Sequence, residues 1–130
     1  MKAVCVPPDQ SSVFLPLVEP FLKRSMERGG IGTYEDIVAD ISKGALIWIA
    51  WDGKRIVGVA VTWLSIINGT KILQILAFAG SKQCLSLLPD IYQYARNEQC
   101  IRIRVTGRKG WLREFKDYRL KAVVLEKELI

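Results

Sequence analysis

Six consecutive residues, Ala77-Phe78-Ala79-Gly80-Ser81-Lys82, carry the clearest chemical signal in this 130-residue chain. They join an apolar run to a stretch with helical character. At such a junction the free backbone N–H groups and the positive end of the helix dipole attract an anion, and a glycine lets the backbone approach it. Lys82 adds a cation at the same place. Further on, Tyr118 offers a hydroxyl. Arg108 and Lys109 offer charge inside a glycine-bounded turn, Gly107-Arg108-Lys109-Gly110-Trp111. The strand leading into the junction carries Gln74, and an amide does not accept a proton at neutral pH. The chain has no histidine, which excludes Ser-His and Cys-His catalysis and any His-ligated metal. Cys5, Cys84 and Cys100 lack metal-ligand spacing and read as reduced thiols, so no metal site is expected.

Elements that position these residues follow from pattern. Lys2–Val6 reads as a short strand ended by Pro7-Pro8. Ser11 or Ser12 caps a helix running to about Glu27, with Phe14, Leu17, Val18, Phe21 and Leu22 on one face and a bend expected at Pro20. Arg28-Gly29-Gly30-Ile31-Gly32 is a break. Thr33 with Asp36 three positions on predicts a capping box, and the helix behind it turns Ile37, Val38 and Ile41 inward before ending near Gly44. The period then changes. Ala45–Trp51, Ile56–Ser65 and Lys71–Phe78 are β-branched and aromatic, joined by Asp52-Gly53 and Asn68-Gly69 hairpin signals. They form an antiparallel meander, apolar on both faces and so covered on both. Asn68-Gly69-Thr70 also fits a glycosylation sequon, but the hairpin reading is preferred. A helix over Pro89–Glu98, a strand over Cys100–Thr106, a short helix over Trp111–Asp117 and a final strand over Lys121–Glu128 complete the chain. The strands flanking the Pro89–Glu98 helix should be parallel neighbours joined by a right-handed crossover.

The formal net charge of +6 is unevenly placed. Residues 1–99 hold ten Lys+Arg and nine Asp+Glu; residues 100–130 hold nine and four. A basic end of this kind suits an anion: a phosphorylated cofactor, a nucleic acid or an acidic partner. Nucleic acid is disfavoured, because Trp48, Trp51 and Trp63 lie in the central strands without basic residues interleaved. Arg102 and Arg104 share one strand face, opposite Ile101, Ile103 and Val105. On a covered face they need anionic partners, and a structural ion pair with Asp90, Glu98 or a carboxylate of the last strand is expected. No apolar run reaches the ~20 residues of a membrane span, and Met1–Pro8 is too short for a signal peptide, so a single cytoplasmic domain over residues 1–130 is expected.

Ala95-Arg96-Asn97-Glu98-Gln99-Cys100 resembles the Ala-Arg-x-x-Gly-Cys stretch that ends the third helix and opens the next strand in GNAT acyltransferases. Counting back without gaps sets Ala79-Gly80-Ser81-Lys82-Gln83-Cys84 on the family's phosphate loop, of the form Arg/Gln-x-x-Gly-x-Gly/Ala. Gly80 supplies the only glycine of this stretch, while Lys82 and Cys84 replace the Gly and Gly/Ala of that form. The resemblance implies an α/β (α+β) fold: a mixed, mostly antiparallel twisted sheet with helices on both faces. It also implies acetyl-CoA as cosubstrate, bound by Ala77, Phe78, Ala79, Gly80, Ser81 and Lys82, with Arg108 reaching a phosphate. The acceptor would be a small-molecule or protein amine entering between the N-terminal helices and the last strands. The family's proton-donating tyrosine falls on Phe115, and Tyr118, three residues on, is the nearest hydroxyl. The Gly-Arg-x-Gly-Trp turn followed by Leu-x-x-Phe-x-x-Tyr is similar to a divergent GNAT-like group of bacteriophage proteins. Two readings follow: an acyl-CoA-dependent N-acyltransferase, or a non-catalytic GNAT-like module, phage-encoded, acting through protein contacts. A homodimer joined through the final strands is a further expectation, since Val123–Leu129 is an apolar-basic edge that can pair.

Overall fold

The computed structural model describes residues 1–29 and 32–129. Strand β1 (Lys2–Cys5) leads through a 3-10 turn into helix α1 (Ser11–Gly29) and helix α2 (Tyr34–Ser42). Strands β2 (Leu46–Trp51), β3 (Ile56–Ile67) and β4 (Thr70–Gly80) follow, then a 3-10 helix (Lys82–Leu87), helix α3 (Leu88–Asn97), strand β5 (Arg102–Val105) and helix α4 (Trp111–Glu114). The five strands form one sheet in the order β1-β2-β3-β4-β5. The first three pairings are antiparallel and β4–β5 is parallel, with α3 as the crossover.

Local chemistry accounts for most of the boundaries. Thr33 accepts from the Asp36 N–H while the Asp36 carboxylate accepts from the Thr33 N–H, which closes the capping box of α2. Asp52 folds the first hairpin by accepting from the N–H groups of Lys54 and Arg55, a contact that also holds its carboxyl below the ordinary range. Asn68 and Gly69 both take positive φ, +52° and +75°, as the second hairpin requires. Pro16 and Pro20 lie inside α1, which is nonetheless one continuous element. Its buried stripe is Val18 and Leu22 with Phe14 and Phe21 partly covered, whereas Leu17 faces solvent. The expected break at Arg28–Gly32 falls in part on residues 30 and 31, outside the described residues.

Both faces of the sheet are covered. On one, α1 and α2 bring Val18, Leu22, Ile37 and Ile41 against Ile47, Ile49, Val59, Val61 and Ala77. On the other, the 3-10 helix, α3 and α4 bring Leu87, Ile91, Ala95, Trp111 and Phe115 against Trp48, Ala60, Leu73, Ile75 and Phe78. A bulge in β4 decides which side chains reach which face. Thr62 pairs with Ile75 but Val61 pairs with Ala77, so Leu76 is the extra residue. Leu73 and Ile75 point to the α3 face; past the bulge it is Phe78 that does so, while Ala77 turns to the α1 face. Without the bulge, alternation would keep Ala77 on the side of Ile75.

Two expectations are corrected here. Lys121–Glu128 is not a strand: residues 119–129 form neither helix nor strand and are exposed throughout. An isolated extended segment has no ladder to satisfy its backbone, and nothing in the sheet lies beside it. For the same reason β5 is an edge strand, so Arg102 is exposed and Arg104 only half-buried. Among the described residues, neither arginine makes an ion pair. On an open edge water solvates them, and the pairing that burial would demand is not required.

Candidate functional site

The parallel ladder between β4 and β5 is short. It runs from Ile72↔Arg102 to Ile75↔Val105 and ends with the Thr106 N–H donating to the Ile75 carbonyl at 3.3 Å. Strand β4 continues to Gly80 paired with β3 alone. The sheet therefore splays at the carboxyl end of β4, where open α/β sheets bind ligands. The opening begins at the Leu76 bulge, which turns the β4 backbone just as β5 leaves it.

A cleft occupies this notch. Phe78, Ala79 and Gly80 form its floor, the α1 face Phe21-Arg24-Ser25-Arg28 one wall, and Arg108 with Trp111 the other. Spacings of three and four residues set the four α1 side chains on one helical stripe. The Arg108 guanidinium lies 4.8 Å over the Trp111 ring, a cation–π contact that holds it in place. Three arginines thus surround the cleft, and no carboxylate lines it among the described residues. It holds about 30 Å³ for water centres. At roughly 10–15 Å³ per water, that is space for about two or three waters.

The residues singled out from sequence fall in different places. Phe78, Ala79, Gly80 and Arg108 line the cleft. Ala77 is fully buried against the α1 face. Ser81 and Lys82 lie outside the lining. Ser81 caps the 3-10 helix, its hydroxyl accepting from the Gln83 N–H at 3.3 Å, and its carbonyl accepts from the Cys84 N–H at 2.9 Å. The Lys82 ammonium reaches Glu114 at 3.6 Å with its side chain mostly in solvent. The 3-10 helix thus occupies the connection to α3 and uses amides that a free helix N-terminus would present.

Gly80 has a packing role. Its φ is +122°, and a Cβ there would fall on the Val57 carbonyl oxygen and lie 2.7 Å from the Gly58 Cα. Across the ladder, a Cβ on Gly58 would collide with Cys84. The two glycines let the 3-10 helix sit directly on β3. Cys84 is buried beneath it, and desolvation pushes its thiol up to about 12.

Tyr118 is not at the cleft. Its hydroxyl shares a 2.6 Å hydrogen bond with that of Tyr92 on α3, and its ring stands edge-on to Phe115 at 4.9 Å. Burial first, then the Tyr92 contact, raise its pKa well above the ordinary tyrosine value, so it stays protonated. Phe115 is buried and touches Phe78 at 5.6 Å, which makes it core. Gln74 donates to the Ser65 hydroxyl at 3.1 Å, on the part of β4 before the bulge. The residues that sequence reasoning missed are Arg24 and Arg28. Their signal is present: a basic stripe at helical spacing beside the buried Val18–Leu22 stripe. Its meaning depends on where α1 crosses the sheet.

No protein-family model matches the chain, and no curated protein matches it. Solved structures do match. A probable acetyltransferase superposes with a TM-score of 0.68 at 16% identity, over 100% of this chain and 98% of the other. An aminoglycoside acetyltransferase from an uncultured soil metagenomic sample, in complex with sisomicin, gives 0.69 at 12% identity, over 99% and 96%. A predicted acetyltransferase with acetyl-CoA from Clostridium acetobutylicum gives 0.65 at 14% identity, over 99% and 95%. The likeness is one of fold: the chain has a GNAT-like architecture along its whole length.

Proposed function

We propose that this chain is an acyl-CoA-dependent N-acyltransferase whose cosubstrate enters the notch between β4 and β5. The observation that carries this reading is the arginine-lined cleft at the splay, with one edge of β4 unpaired beyond Ile75. These features fit the two parts of an acyl-CoA. Arg24, Arg28 and Arg108 suit its phosphates, and charge-assisted contacts of this type are the strong ones. The free β4 edge suits its amide-bearing arm, which can extend the ladder that β5 abandons.

When bound, the thioester would supply an activated acyl carbon for an amine to attack: the C–N bond forms, the C–S bond breaks with its electron pair leaving on the CoA thiolate, and the amine proton passes to solvent and so balances the charge. The chain's own contribution is to hold, orient and exclude water, which by positioning alone accounts for large accelerations. No carboxylate lines the cleft among the described residues, so the amine is delivered deprotonated or loses its proton to solvent. Tyr118, locked to Tyr92, supports the cleft through the ring contacts of Phe115 and Phe78 and does not donate to the reacting atoms. Amines of the kind named for structural neighbours, an aminoglycoside acetyltransferase and a ribosomal-protein-alanine N-acetyltransferase, form the first acceptor panel.

A second reading, a non-catalytic module on the same scaffold, is favoured by one feature: the 3-10 helix Lys82–Leu87 takes the place of an open phosphate loop. Isothermal titration separates the two. Micromolar binding of acetyl-CoA, weakened about tenfold or more by Arg108→Ala as expected for a charged hydrogen bond of about 1.5–3 kcal/mol, supports the first. Absence of binding at millimolar acetyl-CoA and CoA, with the protein folded, refutes it and leaves the second.

A further inference from the structure

After Tyr118 the chain exposes an apolar run with nothing beside it. Leu120, Val123, Val124, Leu125 and Leu129 are between 66% and 90% exposed. Single exposed apolar residues are ordinary, but a cluster of this density in one segment is a mark of an interaction surface. Val123-Val124-Leu125 is also a strong strand former by composition. The segment does not turn back onto its own sheet: beyond the Tyr118–Tyr92 hydrogen bond every residue from 119 to 129 is exposed.

The sheet has the complementary defect. β5 pairs with β4 on one side and presents an open backbone edge on the other. Arg102 and Arg104 sit two apart on this strand, without ion-pair partners among the described residues. Ile101, just before it, is 69% exposed. An open edge with apolar neighbours is a template for another strand.

Charge fixes the fit. Glu126 and Glu128 are also two apart, so in an extended segment they share a face. Laid antiparallel on β5, Glu128 stands opposite Arg102 and Glu126 opposite Arg104. The other face then sets Leu129 beside Ile101, Lys127 beside Ile103 and Leu125 beside Val105. Opposite charges directly across a ladder stabilise it, and like charges destabilise it. A parallel register would keep the same charges together, so the direction follows from antiparallel pairing being the more stable per residue. Edge and segment belong to one chain, so two copies satisfy each other through a closed two-fold exchange.

We propose that residues 121–129 of each chain add as an antiparallel strand to the β5 edge of a second copy, giving a strand-exchanged homodimer. The proposal stands apart from the acyltransferase reading and survives or fails without it.

The test uses the full chain in a Cys5→Ser, Cys100→Ser background, since Cys84 is buried. One preparation carries Arg102→Cys, a second Glu128→Cys; they are mixed, allowed to re-equilibrate and oxidised. Directly opposed residues of an antiparallel pair stand close enough for a disulfide. The expected result is a covalent heterodimer, together with a two-chain mass for the parent protein by light scattering. Leu125→Asp, at a fully solvated position that leaves the core intact, is expected to weaken self-association at least about tenfold. A one-chain mass at high micromolar concentration overturns the proposal. So does an intrachain disulfide in a monomeric Arg102→Cys/Glu128→Cys chain, which would place the strand on its own sheet. An unchanged dimer in Leu125→Asp overturns it as well.

Discussion

Gly80 separates two explanations of one residue, and replacing it with alanine decides between them. Read from the sequence, this glycine belongs to an anion-binding loop, and its loss costs affinity. Read from the structure, it belongs to the β3–β4 contact, and its loss costs stability. Two effects act on Gly80→Ala. The φ of +122° is unfavourable for any side chain, a strain of about 1–3 kcal/mol. The new Cβ also meets the Val57 carbonyl oxygen and the Gly58 Cα, backbone atoms that cannot swing away, which adds about 1–3 kcal/mol of overpacking. Gly44→Ala is the matched control: its φ is +118°, but nothing lies within 4 Å of the added carbon. The smaller unfolded-state entropy of alanine, about 0.4–1 kcal/mol, enters both variants and cancels. Gly80→Ala is therefore expected to be less stable than Gly44→Ala by about 1–3 kcal/mol, read as a lower urea midpoint at unchanged m. Against a total of about 5–15 kcal/mol, the loss is large. Equal midpoints for the two variants refute the collision. A Gly80→Ala protein of parental stability that no longer binds acetyl-CoA restores the loop reading.

Two other outcomes are expected. The Trp48 indole N–H donates to the buried Thr62 hydroxyl at 2.9 Å, so Thr62→Val leaves a buried donor unpaired and lowers stability by about 1–3 kcal/mol in urea melts; Trp48→Phe added to it recovers part of the loss. Folded Cys84 keeps its proton up to about 12 against an ordinary 9.0. The unfolded chain releases that proton earlier, so this stabilisation is complete below the ordinary thiol value and is lost as pH rises through the window between the two. Urea midpoints at successive alkaline pH values should fall more steeply for the parent than for Cys84→Ala, and equal slopes would contradict the burial argument.

Local instructions in this chain are strong, and the structure follows them. Thr33 and Asp36 announce their capping box, Asp52-Gly53 and Asn68-Gly69 their hairpins, and the apolar strands between them their doubly covered position. The parallel return of β5 beside β4 is legible from helix Pro89–Glu98 alone. What the sequence conceals depends on distant partners. Arg24 and Arg28 look like solvated helix residues until α1 is seen to cross the end of β4. The Leu76 bulge has no marker in an unbroken apolar run, yet it reverses the facing of Ala77 and Phe78. Gly80 is conspicuous as a glycine, but a glycine needed for a ligand and one needed for a neighbouring strand look alike. Lys121–Glu128 has strand composition without a neighbour, and composition does not supply one.

Strand order in the sheet repeats strand order in the chain, and this bears on how the protein assembles. No later strand has to insert between two earlier ones. The β2–β3–β4 meander closes through two short turns, the lowest-entropy loops available, and forms the natural nucleus. β5 joins after the α3 crossover. β1 must close onto β2 across both helices, so it carries the greatest chain-closure cost while offering only four residues. Amide protons of the meander should therefore exchange through global unfolding, and those shared by β1 and β2 through a cheaper opening that releases one edge and leaves the rest standing.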